Sequence, residues 1–294
     1  MTSPRYETRH QQLDANPPVF PSLWACAWGE DVYGLWQAFE IKGVRQVMRW
    51  IPPGRFMVGS PADEPKRRDN EAQQAVTLSQ GYWLADTACS QALWQRVMGK
   101  NPSKFNSDPQ HPVDSVSWDD CQQWIDKANS LMRGGEQGEE QSQDLQFTLP
   151  TEAQWEYACR AGTRTAFWWG SELTTEQANY DGHFPYNNGA KGENRHTTVP
   201  VKSFTPNPWG LYQMHGNVWE WCQDRYQHQH GPMSEESMKN LKGPKNGAER
   251  VLRGGGWLSF GRRLRCAFRL YWRPGRRSLN YGLRLAIGFG QEKV

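Results

Sequence analysis

The chain combines 16 tryptophans with 28 glycines and shows no long helical periodicity. An indole brings a large apolar ring and one N–H donor, which suits a compact interior threaded by irregular backbone. Glycine supplies the positive φ angles that such backbone needs. A helical bundle would show apolar residues recurring every three or four positions over long stretches, and only short runs here do so. With 294 residues the chain is long enough to bury a sizeable core, in one large domain or two ordinary ones.

Several function classes recede on composition. A net charge of +3 is too small to imply nucleic acid. The charge is unevenly spread, however: residues 250–284 hold ten arginines and no acidic residue. Either these form a basic surface packed through their stems or they present a face to anionic groups. None of Cys26, Cys89, Cys121, Cys159, Cys222 and Cys266 lies in a CxxC, and no pair has zinc-ligand spacing. Six reduced thiols and a cytoplasmic location are therefore expected. The first twelve residues, MTSPRYETRHQQ, lack an apolar signal region, and no apolar stretch reaches the ~18 residues of a membrane span. His228 and His230 share a polar loop that reads as solvated rather than metal-binding.

Along the chain, residues 1–46 read as an extension whose rings (Trp24, Trp28, Tyr33, Trp36, Phe39) are too dense for a disordered tail and should pack on a main domain at 47–290. Residues 47–59 predict two strands broken at Pro52, Pro53 and Gly54, and 75–87 predict another. Ser90 and Gly99 bracket a helix with Leu93, Trp94 and Val97 on one face. Ser117 caps a second helix, with Cys121, Trp124, Ile125 and Ala128 inward. The stretch 133–146 reads as a polar connector. Thr151 opens a short third helix, after which 163–216 predicts none.

Five motifs then occur in order: WIPPGRFMVGS, LPTEAQWEYACRAG, NPWGLYQMHGNVWEWCQD, RVLRGGGW and YGLRLA. Together they resemble the formylglycine-generating-enzyme, or sulfatase-modifying factor, family over about residues 47–290. The resemblance implies an α+β, C-type-lectin-like fold of twisted antiparallel strands with two main helices and much irregular loop. In GNVWEW, the alternation of Trp219 and Trp221 with Glu220 suits a strand facing two environments.

Enzymes of that family hold copper on two cysteines just after the glycine-rich run, because soft thiolates bind Cu(I). Here the first position aligns with Ser259 and the second falls near Gly261, while Cys266 matches a different family cysteine. No copper and no formylglycine generation are expected. Branches with other chemistry, such as ergothioneine-pathway sulfoxide synthases and a pyoverdine-maturation group, leave a different oxidation open, although no facial-triad cluster of histidines and a carboxylate is visible. The variable proteins of diversity-generating retroelements share the fold and display a ligand-binding surface near the C-terminus. The equivalent stretch here is 258–281, and its candidate ligand-binding residues are Leu258, Ser259, Phe260, Arg262, Arg263, Tyr271, Trp272, Arg273, Arg276, Arg277, Asn280 and Tyr281.

The resemblance also implies structural calcium, a hard cation served by oxygen ligands. Asn179, Tyr180, Glu193 and Arg195 would form one site, and Asn217 and Glu220 a second. Alternatively, Asn179 and Asn217 hold turns through side-chain-to-backbone bonds. Three functions compete: a module binding an unknown protein or macromolecular ligand, an oxidase of the family, or a structural subunit docked through residues 1–45. Phe260 and Tyr271 are read either as binding groups or as core; Phe268 is read as core.

Overall fold

The computed structural model describes residues 15–133, 146–228 and 238–288. The first fourteen residues, most of the 133–146 connector and His230 lie outside them.

Strands β1 (Ala27–Asp31), β2 (Gly34–Ile41) and β3 (Val44–Ile51) form an antiparallel meander. Lys42 and Gly43, both at positive φ (48° and 78°), make the tight turn between β2 and β3. These strands begin a six-stranded sheet that continues outward from β3 through Tyr82–Ala85, Ala286–Ile287 and Phe147–Thr148. The boundary expected at 46/47 is therefore corrected, since it falls inside β3. Ladder hydrogen bonds and the burial of Trp24 and Phe39 make this region part of the domain itself. Phe20 stacks on Trp83 of the same sheet, with ring centroids 6.1 Å apart.

β4 (Gly54–Val58) pairs with β5 (Gln74–Leu78) in a separate ribbon. The single strand expected over 75–87 is two: β6 (Tyr82–Ala85) joins the large sheet instead. Between them, Gly81 packs so closely on the Trp50 ring that no side chain would fit. Three α-helices follow. The first, α1 (Gln91–Met98), is capped by the Ser90 hydroxyl and ends at Gly99 in the left-handed region. The second, α2 (Trp118–Arg133), starts with reciprocal bonds: the Asp120 N–H donates to Ser117 Oγ, and the Ser117 N–H donates to the Asp120 carboxylate. In α3 (Glu152–Arg160), Thr151 and Gln154 complete a capping box.

The remaining strands are β7 (Phe147–Thr148), β8 (Trp219–Arg225), β9 (Arg250–Arg253), β10 (Leu270–Trp272), β11 (Tyr281–Leu283) and β12 (Ala286–Ile287). A second sheet runs β10-β9-β8-β11. Only its β8–β11 pair is parallel among the described strands. YGLRLA thus spans two sheets, with β11 in one and β12 in the other. The inward stripes of α1 and α2 close one core against the large sheet, where Trp94 stacks on Trp124 at 6.3 Å. A second core gathers around α3. The two environments expected along β8 are both buried: Trp219 and Trp221 face the apolar core, while Glu220 faces the Trp155 indole N–H and the Arg284 guanidinium.

Candidate functional site

Four of the ten arginines in 250–284 are neither a basic surface nor a face for anions. Arg253, Arg265, Arg269 and Arg284 are buried struts, each paired with carboxylates from distant segments. Arg284 forks onto Glu220 at 2.8–3.1 Å, and Trp155 Nε1 donates to the same carboxylate at 2.6 Å. Arg265 meets Glu64 at 2.6 Å and Glu71 at 2.7 and 2.8 Å. Arg269 holds Glu152 through two bonds, and Arg253 and Arg160 share Glu156. Buried charges persist when paired and hydrogen-bonded in this way.

The stretch 258–281 accordingly dives through the core at 264–269 and surfaces on either side. Before the dive, Leu258 and Arg262 are exposed, and Phe260 lies half-buried against Phe184 with ring centroids 4.2 Å apart. Arg262 and Arg263 sit over the Phe260 ring, each 5.4 Å from its centroid. After it, Tyr271 stacks on Tyr226 at 3.8 Å, and Arg276 lies 5.3 Å over the Trp272 ring. Trp272, Arg273, Arg276 and Arg277 are exposed. Arg277 grips Asp120 at 2.6 and 2.7 Å. The two lobes meet at Tyr281: burial pushes its hydroxyl up to about 12, while Arg276, Trp272 and Arg263 are close enough to oppose the shift.

Three residues expected on this surface are corrected. Ser259, Asn280 and Tyr281 are buried. The Ser259 hydroxyl accepts the Gly256 N–H, the Asn280 side chain accepts from Ser278, and Tyr281 packs edge-on against Trp221. They support the surface from beneath.

The family's copper does not fit at its usual place. Ser259 offers a buried hydroxyl already in use and Gly261 offers no side chain, so the donor set lacks both thiolates. For calcium the two loops differ. Asn179 Oδ1 is buried and without a partner, as a hard-cation ligand should be. Tyr180 is also buried, while the Glu193 carboxylate is exposed and paired with Arg195 at 3.2 Å. In the second loop, Asn217 Oδ1 accepts from Val199 and Asn179, and its Nδ2 donates to Val199 and Gln213. Both oxygens of Glu220 belong to Arg284 and Trp155. Asn217 and Glu220 thus do not fit as side-chain ligands, and Asn217 locks the turn at Gly216, whose φ of 87° favours glycine.

An open cleft of about 600 Å³ lies elsewhere, between α2, β7 and β8, with Trp118, Asp224 and Arg250 among its lining. No residue of 258–281 lines it. Sequence spacing missed one further cluster: Cys159, His215 and Cys266 come together in the core although 51 or more positions separate each pair.

The profile of the sulfatase-modifying factor enzyme 1-like domain matches residues 39–288. The formylglycine-generating enzyme of Bos taurus is 34% identical over 225 residues, 74% of this chain and 53% of that protein. The chain thus spans about half the length of that relative. The inactive C-alpha-formylglycine-generating enzyme 2 of Bos taurus is 30% identical over 239 residues, 78% of this chain and 65% of that protein. Among solved structures, Treponema denticola variable protein 1 aligns with a TM-score of 0.70 and 26% identity, covering 86% of this chain and 98% of that one.

Proposed function

The chain belongs to the sulfatase-modifying factor enzyme 1-like family, and from that premise we propose that it is a non-catalytic binding module. It displays the two exposed lobes of 258–281 to a protein or other macromolecular partner, in the manner of a variable protein of a diversity-generating retroelement. The observation that carries this reading is the used and buried hydroxyl of Ser259 at the thiolate position, beside a surface of arginines and rings. Exposed Trp and Arg dominate binding hot spots, and Trp272, Leu258 and Phe184 would otherwise be unexplained apolar exposure. The resemblance to a solved variable protein and to a relative named inactive supports the same reading. A structural calcium held through Asn179 is part of the proposal; it would order the loop behind Gly216.

The rival is an oxidase of the family, favoured by the activity named for the bovine relative. Purified protein supplied with Cu(I) and a sulfatase-type cysteine peptide should form no aldehyde detectable by mass. Multiple turnovers would sink the binding-module reading. In a second arm, wild-type protein and a variant carrying Arg262→Ser, Trp272→Ser and Arg276→Ser are immobilised against lysate of the source cell. The wild type should retain a specific partner that the variant releases. Equal capture by both would place the binding surface elsewhere.

A further inference from the structure

Cys159 lies on α3, His215 precedes the GNVWEW turn, and Cys266 follows the short helical turn at 261–264. All three are buried, and their ligand atoms lie within 4.8 Å of one another. Cys159 Sγ is 3.7 Å from Cys266 Sγ and 3.6 Å from His215 Nε2. With metal–sulfur and metal–nitrogen bonds of about 2.3 and 2.0 Å, the edges of a tetrahedral site are roughly 3.8 Å between sulfurs and 3.5 Å between sulfur and nitrogen. These two separations lie close to those edges, and the third, from Cys266 Sγ to His215 Nε2, is within 4.8 Å.

The imidazole is set for the task. His215 Nδ1 lies 2.6 Å from the Leu264 carbonyl, which can only accept, so Nδ1 carries the proton. Nε2 is left as the acceptor: it takes the Trp168 N–H at 3.3 Å and lies 3.6 Å from the Cys159 sulfur, so a metal on Nε2 would displace that backbone bond. This is the arrangement in which a backbone carbonyl fixes the tautomer of a ligating histidine. Phe167 and Trp169 hold the ring edge-on, with centroids 5.4 and 4.8 Å away.

The geometry points to a binding site for a thiophilic d10 cation, zinc(II) or copper(I), held by Cys159, His215 and Cys266. This site is distinct from the family's thiolate position at Ser259 and independent of the binding-surface reading. Binding displaces the thiol protons and leaves two thiolates on the metal. The Met214 carbonyl, 3.9 Å from Cys159 Sγ, lies beside the site as a fourth oxygen donor for zinc, while copper(I) would be satisfied by the three.

The test uses the full chain, grown in zinc- or copper-supplemented medium and purified without chelator. Elemental analysis should find about one metal per chain. X-ray absorption should give two sulfurs and one nitrogen in its first shell, with one further light atom if the metal is zinc, and the absorption edge decides between zinc and copper. Refolding with Co(II) should produce a thiolate-to-cobalt charge-transfer band. Cys266→Ser and His215→Gln should lose the metal and the band, whereas Cys26→Ser, at an exposed thiol, should keep both. Because a core variant can also fail to fold, the wild-type absorption spectrum decides alone: a shell of oxygens, or no metal under either supplement, overturns the site. A mass two hydrogens lower, marking a Cys159–Cys266 disulfide in metal-free protein, overturns it equally.

Discussion

Arg262 lies on the short helical turn at 261–264 and Arg265 immediately follows it, yet the first faces solvent over the Phe260 ring and the second is fully buried between Glu64 and Glu71. The contrast repeats through the C-terminal arginines. Arg253, Arg269 and Arg284 each meet a carboxylate from α3 or β8, whereas Arg262, Arg273 and Arg276 have no ion pair among the described residues. What separates the two sets is the supply of acids from distant segments. Glu64 and Glu71 come from the β4–β5 connection, and Glu152 and Glu156 from α3. A guanidinium is delocalised, always charged and able to fork onto a carboxylate, so it can brace irregular backbone that no sheet or helix ladder satisfies. The same group left on the surface is available for recognition.

The largest effect should come from breaking a strut. Arg265→Leu leaves two buried carboxylates facing each other, and breaking a buried pair typically costs about 3–5 kcal/mol. Urea unfolding should show that loss, with a smaller one for Arg253→Leu, because Glu156 keeps Arg160. Adding Glu71→Leu to Arg265→Leu should recover part of the stability. A loss below about 1 kcal/mol for Arg265→Leu, the scale of an exposed pair, would erase the distinction between the two sets.

A pH-dependent effect of intermediate size sits beside the Glu152–Arg269 strut. Burial, then the Glu152 charge, push the Asp224 carboxyl from its ordinary value of 3.8 up to about 6, although the Glu152 and Gly243 N–H groups donate to it. A raised carboxyl binds its proton more tightly in the folded chain. Its contribution therefore favours folding below pH ~4 and is lost as pH rises through ~6. The shift corresponds to roughly 1–3 kcal/mol. Stability of the wild type relative to Asp224→Asn, followed by urea midpoints from pH 4 to pH 7, should fall across that window. A flat difference would mean that the buried network accommodates the charge without penalty.

The helices and their caps were legible in the sequence because capping is local: Ser90, Ser117 and Thr151 each act within three residues. The family resemblance gave the fold as a whole. The strut pairing was not legible, because Arg265 and Glu71 are 194 positions apart and nothing local marks an arginine for burial. The same distance problem hid the Cys159–His215–Cys266 cluster, and it led the reading of 258–281 to treat as continuous a surface that the core interrupts. The tight pairing of Lys42 with Gly43 was a local signal that could have moved the domain boundary earlier.

The smallest effects should fall on the exposed set. Surface substitutions away from special features change stability by under about 0.5 kcal/mol, and Arg262→Ser, Trp272→Ser and Arg276→Ser should each stay within that. Arg277→Ser should cost somewhat more, up to about 1 kcal/mol, because its two bonds to Asp120 are exposed and screened. Phe260→Ser and Tyr271→Ser belong between the sets, since each gives up a ring contact, with Phe184 and Tyr226 respectively. Such contacts are worth about 0.5–1.5 kcal/mol beyond burial. Tyr281→Ser serves as the buried control and should be clearly worse than any of them. Thermal melts of these variants rank the stretch residue by residue. If Trp272→Ser and Arg276→Ser fell with Tyr281→Ser, their stacked pair would be holding β10 in place, and the second lobe would be structure rather than a surface kept for a partner.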